Sequence, residues 1–211
     1  MTVETMKANL RKYYDHDAKR RSTSDKQEWK CAERMKFSDL ALKEHKSQLL
    51  EIGAGTGQDS MFFMEQGFEV MAIDLSAEMV RICKENKIKA MELDFYNLSS
   101  LDKKFDCVWS MNSLLHVNRP DLSMVLNKID TVLNENGLFY MGVYGGEDTE
   151  TNYAHDTYDS VRIPRYFSFY SIETLVGVLQ KTFDILHYDQ YDVERSYDFQ
   201  SVTMRKKAMV A

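Results

Sequence analysis

Three glycines at every second position close the apolar run Leu49-Leu50-Glu51-Ile52-Gly53-Ala54-Gly55-Thr56-Gly57, and Asp74 closes the next apolar run, Phe68–Ile73. Such glycines permit left-handed dihedrals and let a ligand approach bare backbone. The helix that follows would turn its N-terminal N–H groups toward an anion. An acid at the end of the second strand stands where a nucleoside's ribose hydroxyls require a carboxylate. The glycine spacing restricts the nucleoside further. A dinucleotide site calls for G-x-G-x-x-G, but counting from Gly53 the third position is Gln58, and the glycine comes one residue early at Gly57. A pyrophosphate site is therefore disfavoured.

The elements that must hold these residues follow from periodicity. Strands are predicted at about 47–52, 68–73, 88–93, 104–110 and 137–143, with helices near 57–66, 76–86, 97–101 and 120–134 between them. Two helices precede them, about 3–20 and 24–45, the second capped by Ser24 or Asp25. Ser76 is placed to cap the helix through Met79, and Pro120 sits in a first turn. Gly137 is expected in the left-handed position that ends the preceding helix. Residues 144–166 lack periodicity, a length of irregular chain that is usually functional. A helix capped by Ser171 runs to about Lys181, and strands near 183–190 and 197–205 form a hairpin through a turn around Asp192–Ser196. Alternating β and α units of this length predict an α/β fold, a doubly wound and mostly parallel sheet that binds ligands beyond its strands' carboxyl ends.

With 211 residues, 44% hydrophobic and 28% charged, the chain reads as a single domain. Its subdivisions are a helical lid at 1–45, a ligand-binding core at 46–143, a lid insertion at 144–166 and a C-terminal helix and hairpin at 167–211. Cys31, Cys83 and Cys107 have no metal-type spacing and no even count. No apolar stretch approaches a membrane span, so the expectation is a reduced, cytoplasmic protein without metal. A net charge of −6 argues against nucleic acid as partner. The most basic stretch, Lys7, Arg11, Lys12, Lys19, Arg20 and Arg21, is interrupted by acids and reads as a solvated helix face.

The pattern Glu51-x-Gly53-x-Gly55-x-Gly57, with the strand before it and Asp74 after it, resembles motif I of the class I S-adenosylmethionine-dependent methyltransferases. "FDCVWSMNSLLHV", "NENGLFYMGVYGG" and "RYFSFYSIETLVGVLQKTFDI" extend the likeness over roughly 45–205, closest to the small-molecule branch. The resemblance implies a Rossmann-like seven-stranded sheet of order 3-2-1-4-5-7-6 with strand 7 antiparallel. It implies S-adenosyl-L-methionine as cofactor. Gly53, Ala54, Gly55 and Gly57 would wrap its amino-acid end, and Glu51 would meet its ammonium region. Asp74 would take the ribose and Leu75 would pack on the nucleoside. Asp94 and Phe95 would frame the adenine, while Ser110, Met111 and Asn112 would meet the methionine portion and the methyl group. Each has a plainer reading, Asp74 as a helix cap and Asp94 as a turn residue among them.

For His116 the residues leave three readings open: a catalytic base, a substrate ligand, or a hydrogen-bonded structural histidine. Tyr13 and Tyr14 on the first helix, with Tyr144, Arg165 and Tyr166 at the ends of the irregular stretch, are the acceptor and lid candidates. Aromatic residues are abundant in this half (Tyr140, Tyr153, Tyr158, Phe167, Phe169 and Tyr170 besides), enough to supply both core packing and ring faces toward a sulfonium. The activity implied is methyl transfer to a small-molecule acceptor. Alternatives are a tRNA or protein methyltransferase, disfavoured by the acidic balance and by Ser110-Met111-Asn112-Ser113 where the [DN]PP[YF] signature would stand, and a non-catalytic cofactor-binding module. The residues do not name the acceptor, the atom methylated or the oligomeric state.

Overall fold

The computed structural model describes residues 2–153, 162–193 and 197–208. Seven strands form the central sheet: β1 (Gln48–Ile52), β2 (Glu69–Asp74), β3 (Lys89–Glu92), β4 (Phe105–Met111), β5 (Leu133–Gly145), β8 (Phe183–Asp192) and β9 (Asp198–Lys206). Their order is β3-β2-β1-β4-β5-β9-β8. The first five are parallel, and β9 enters antiparallel beside β5. With β8 and β9 read as the sixth and seventh sheet strands, this is the predicted order.

Side chains alternate across the strands. Leu50, Val108, Phe139 and Met141 join one core cluster with α1 (Val3–Ser22), α5 (Leu122–Val132) and α6 (Ile172–Leu179). Leu49, Cys107, Trp109, Leu138 and Tyr140 join another with α2 (Glu28–Lys43) and α3 (Gln58–Glu65). Both faces are thus covered, as near-continuous apolar strands require. Trp109 and Tyr140 stack with ring centroids 3.8 Å apart under α2. The second helix of the β–α units, α4 (Ala77–Glu85), begins at Ser76, whose hydroxyl accepts from Met79 N–H.

Several local expectations need correcting. Neither Ser24 nor Asp25 caps α2: its N-cap is Gln27, without a side-chain bond, because the Ser24 hydroxyl turns back to donate to the Arg21 carbonyl at the end of α1. The turn before β4 is a 3-10 helix, Phe95–Ser100, rather than an α-helix. Pro120 lies in a 3-10 turn, Arg119–Asp121, just ahead of α5. The left-handed residue before the main run of β5 is Asn136 (φ 58°), not Gly137. At Gly137 a Cβ would press on the Asn134 carbonyl at 2.8 Å, so close packing excludes a side chain there.

The stretch after β5 is not wholly irregular. β6 (Thr149–Tyr153) pairs antiparallel with β7 (Arg165–Phe169) in a separate ribbon. Its polar sequence, Thr-Glu-Thr-Asn, hid the strand from a hydrophobic pattern. Tyr158 and the remainder of the predicted insertion, 154–161, lie outside the described residues, as do 194–196 of the predicted hairpin turn. Among the described residues no helix is long and apolar enough to cross a membrane.

Candidate active site

The carboxyl ends of β1, β2 and β4 open into a cavity of about 450 Å³. The glycine loop lines it at Gly53 and Gly55, both at positive φ (72° and 56°). The two glycines serve differently. A Cβ on Gly53 would strike the Ser113 side chain, whereas one on Gly55 would meet nothing within 4 Å and would stand in open cavity. Gly57, also left-handed (φ 83°), is the N-cap of α3; a Cβ there would strike Ile88, so it serves helix entry and packing and is not part of the wall.

Asp74 binds the loop to the second strand. Gly55 N–H donates to its Oδ2 at 2.8 Å and Ser76 N–H to its Oδ1 at 2.9 Å. Burial pushes this carboxyl above the ordinary range, against the lowering effect of those two N–H donors. Each oxygen carries a second lone pair, so both can also accept from a ligand. Asp94 accepts from Tyr96 N–H at 2.8 Å, caps the 3-10 turn and pairs with Lys7 at 3.1 Å. It lines the cavity together with Leu75 and Phe95.

Glu51 is 4% exposed at the end of β1, between Ala72 of β2 and Trp109 of β4. Ser60 donates to it, yet burial and the neighbouring Asp59 charge push its carboxyl up to about 8. Between the ordinary glutamate range and about 8 the folded chain therefore binds a proton that the unfolded chain has released, and stability falls as pH rises. Glu51→Gln keeps an acceptor for Ser60 and removes the ionisation. The ligand-free variant should hold its melting temperature between pH 5 and pH 8 where the wild type declines. Parallel declines in a thermal-melt series would exclude Glu51 as the titrating group.

The methyl-end candidates are divided. Met111 and Asn112 reach the cavity, and the buried Oδ1 of Asn112 has no hydrogen-bond partner among the described residues. Asn112 is held left-handed (φ 58°) by its N–H bond to the Gly142 carbonyl at 2.8 Å. Ser110, fully buried, is not part of the wall, since the pleat turns it away.

His116 lines the cavity in a fixed state. Its Nδ1 is 2.6 Å from the Tyr166 backbone carbonyl and its Nε2 is 2.7 Å from the Tyr14 hydroxyl. Burial drives its pKa down to about 3, so the ring is neutral and is no ready proton acceptor at neutral pH.

Of the five acceptor and lid candidates, Tyr14 and Tyr144 line the cavity. Tyr13 is 3% exposed beneath the Arg165 guanidinium, 4.0 Å from its ring centroid, so both are engaged with each other behind the wall. Tyr166 contributes its carbonyl to His116 and its hydroxyl to Glu150. Phe167 packs on the His116 ring at 4.7 Å, while Phe169 and Tyr170 are buried.

α1 lies across the ends of β2 and β3. Arg11 donates to the Leu75 carbonyl (3.3 Å), and Asp15 accepts from the Ser76 hydroxyl (2.6 Å). In contrast α2 packs on the sheet face through Phe37 and Ala41. Arg20 and Arg21, read as part of a solvated face, line the cavity and both pair with Asp17 (2.6 Å each).

One group in the wall escaped the sequence reading altogether. Asp59, 4% exposed in the first turn of α3, accepts from Trp109 Nε1 at 3.1 Å and from Arg34 at 3.2 Å, and pairs with Lys26. Nothing in local sequence marks it, because its partners are 25 to 50 residues away. No group of three or more His, Cys, Asp or Glu that could hold a metal was found among the described residues.

The donor set fits a zwitterionic nucleoside: a bare loop with space above Gly55, carboxyl groups at Glu51, Asp74 and Asp94, and an amide oxygen at Asn112 that has no partner among the described residues. The sequence agrees, for residues 49–137 match the family described as methyltransferase domain. An uncharacterized methyltransferase of Alkaliphilus oremlandii is 33% identical over 99 residues, 46% of each chain. The malonyl-[acyl-carrier protein] O-methyltransferase of Hamiltonella defensa is 30% identical over 134 residues, 62% of this chain and 51% of that one. The chain thus spans about half the length of the curated relatives it matches.

Among solved structures, the Burkholderia thailandensis 1,6-didemethyltoxoflavin-N1-methyltransferase aligns with a TM-score of 0.73 at 20% identity, over 99% of this chain and 92% of that one. The N-methyltransferase NodS of Bradyrhizobium japonicum aligns at 0.66 and 15% identity, over 92% and 99%. The matched domain over 49–137, the strand order and the shared fold together make this chain similar to the class I S-adenosylmethionine-dependent methyltransferases.

Proposed function

We propose that the protein transfers a methyl group from S-adenosylmethionine to a small-molecule acceptor. The observation that carries this reading is the open space above left-handed Gly55, bordered by Asp74. In this reading the Gly53–Gly55 backbone and the N-terminus of α3 hold the cofactor's carboxylate, and Glu51, once ionised, its ammonium. Asp74 takes the ribose, Leu75 the nucleoside, and Asp94 with Phe95 the adenine. Met111 and Asn112 stand beside the methionine chain. The bound cofactor supplies an electrophilic methyl: the acceptor's lone pair forms the new bond to carbon while the carbon–sulfur pair stays on sulfur. The protein's task is alignment and exclusion of water, for which neither a metal nor a strong base is required.

A small acceptor is favoured by the cavity itself, about 450 Å³ with Leu10, Tyr14, Arg20 and Arg21 of α1 in its wall. The Burkholderia neighbour was crystallised with 1,6-didemethyltoxoflavin and S-adenosylhomocysteine, a small acceptor and spent cofactor together. The whole chain acts as one domain in this proposal, with α1 and the stretch after β5 as lid over the core.

Calorimetry with S-adenosylmethionine, S-adenosylhomocysteine and NAD is the first test. Binding of the first two and not of NAD is expected; NAD binding alone would overturn the reading. Lid elements order on ligand binding. Hydrogen exchange with S-adenosylhomocysteine should therefore slow around Tyr13–Arg21 and across 144–153. Identical exchange in both states would remove the lid and favour a macromolecular acceptor on an open surface.

A further inference from the structure

From the Tyr14–His116 pair we infer that Tyr14 is the residue that receives the methyl acceptor, taking a hydrogen bond from an N–H or O–H on or beside the atom to be methylated, with His116 as its positioning residue. The inference rests on the methyl-transfer reading above and names the acceptor's chemistry.

Counting protons fixes the direction of both bonds to His116. A backbone carbonyl carries no proton, so at 2.6 Å from the Tyr166 oxygen the Nδ1 of His116 must be the donor. A neutral imidazole holds one N–H, which leaves Nε2 as a bare lone pair. The Tyr14 hydroxyl, 2.7 Å away, can only donate to it. A phenol has a single proton, and here it is committed. What Tyr14 can still offer the cavity is oxygen lone pairs.

The tyrosine is held in this pose from several sides. The Arg21 guanidinium stands 4.9 Å from its ring centroid, and Tyr13 meets it edge-on at 5.3 Å. Phe167 packs on the His116 ring, and the Arg165 guanidinium lies 5.2 Å from the centroid of Phe167. Both Tyr14 and His116 belong to the cavity wall beside Asn112 and Ser113.

A hydrogen-bond acceptor without a donor discriminates among substrates. An amine, a lactam-type ring N–H or a phenol satisfies Tyr14; a carboxylate, ether or already methylated analogue would bring a second lone pair against it. The same bond assists the reaction. As the substrate's lone pair commits to carbon, its N–H or O–H becomes more acidic and donates more strongly, so the interaction grows toward the transition state. The proton released after methylation passes to water, since the Tyr14 oxygen keeps its own hydrogen on His116.

The test uses the full chain loaded with S-adenosylhomocysteine and two matched probe pairs: indole with N-methylindole, and umbelliferone with its methyl ether. Binding is followed by saturation-transfer NMR titration. In the wild type the proton-bearing member of a pair should bind about tenfold tighter, the worth of one well-placed hydrogen bond. Tyr14→Phe should equalise the pair while S-adenosylhomocysteine affinity stays within about twofold, as no bond to the cofactor is removed. His116→Leu, which releases the Tyr14 proton, should invert the preference, and His116→Gln, whose amide oxygen still accepts, should restore it.

A preference that survives Tyr14→Phe, its absence from the wild type, or retention of neither member of either pair overturns the inference. So does a tenfold loss of S-adenosylhomocysteine affinity in Tyr14→Phe, which would make Tyr14 a cofactor contact. Failure of the wild type to bind S-adenosylhomocysteine at all would instead count against the methyl-transfer reading.

Discussion

Gly55→Val is expected to weaken S-adenosylmethionine binding at least a hundredfold, about 2.7 kcal/mol, in a protein that still folds. The position combines two properties. Its φ of 56° is one that a β-branched residue resists, and its virtual Cβ meets no protein atom within 4 Å. The first lowers stability by roughly 1–3 kcal/mol. The second means that the added volume competes with ligand alone. Gly67 provides the control, being left-handed (φ 95°) and equally open but in the turn that enters β2, at the opposite end of the sheet. Gly67→Val should show a comparable fall in melting temperature with affinity unchanged. Gly53 is unsuitable for the purpose, because a side chain there collides with Ser113 and tests the fold instead. Retained wild-type affinity in folded Gly55→Val, measured by calorimetry, would mean that the loop does not cradle the cofactor.

Asp74→Ala should cost ten- to a hundredfold in affinity, roughly 1.5–3 kcal/mol for a pair of charge-assisted hydrogen bonds. The structure adds a second consequence. The same carboxylate receives Gly55 N–H and Ser76 N–H, so its removal also releases the glycine loop from β2 and leaves two N–H donors without their partner. The melting temperature should fall together with affinity. Asp74→Asn separates the contributions, because its one amide oxygen can retain a single loop bond but cannot accept from two ribose hydroxyls at once. Full affinity in Asp74→Asn would show that the carboxylate serves the loop and not the ligand.

Neighbours along the chain dictate the glycine loop and the rhythm of the elements around it. Positive φ demands glycine at residues 53, 55 and 57, and the apolar runs on either side demand strands, so the loop, its helix and Asp74 were legible as one unit. The β–α rhythm then implied parallel strands, and the family likeness their order. Local reading failed where two neighbouring residues or elements competed for one role, or where a strand lacked an apolar pattern. Ser24 ends α1 rather than beginning α2, Asn136 takes the left-handed turn that Gly137 was expected to take, and β6 is too polar to register as strand. The chemistry of the cavity wall, by contrast, arises only when the chain folds. Folding brings Asp59 to Trp109 and Arg34, and it carries α1 across the strand ends so that the half-exposed Arg20 and Arg21 also border the cavity. It also joins Tyr14 to His116 across 102 residues, and thereby assigns each proton between them. A hydrogen bond's direction depends on which donor meets which acceptor in space, and that is a property of the folded chain.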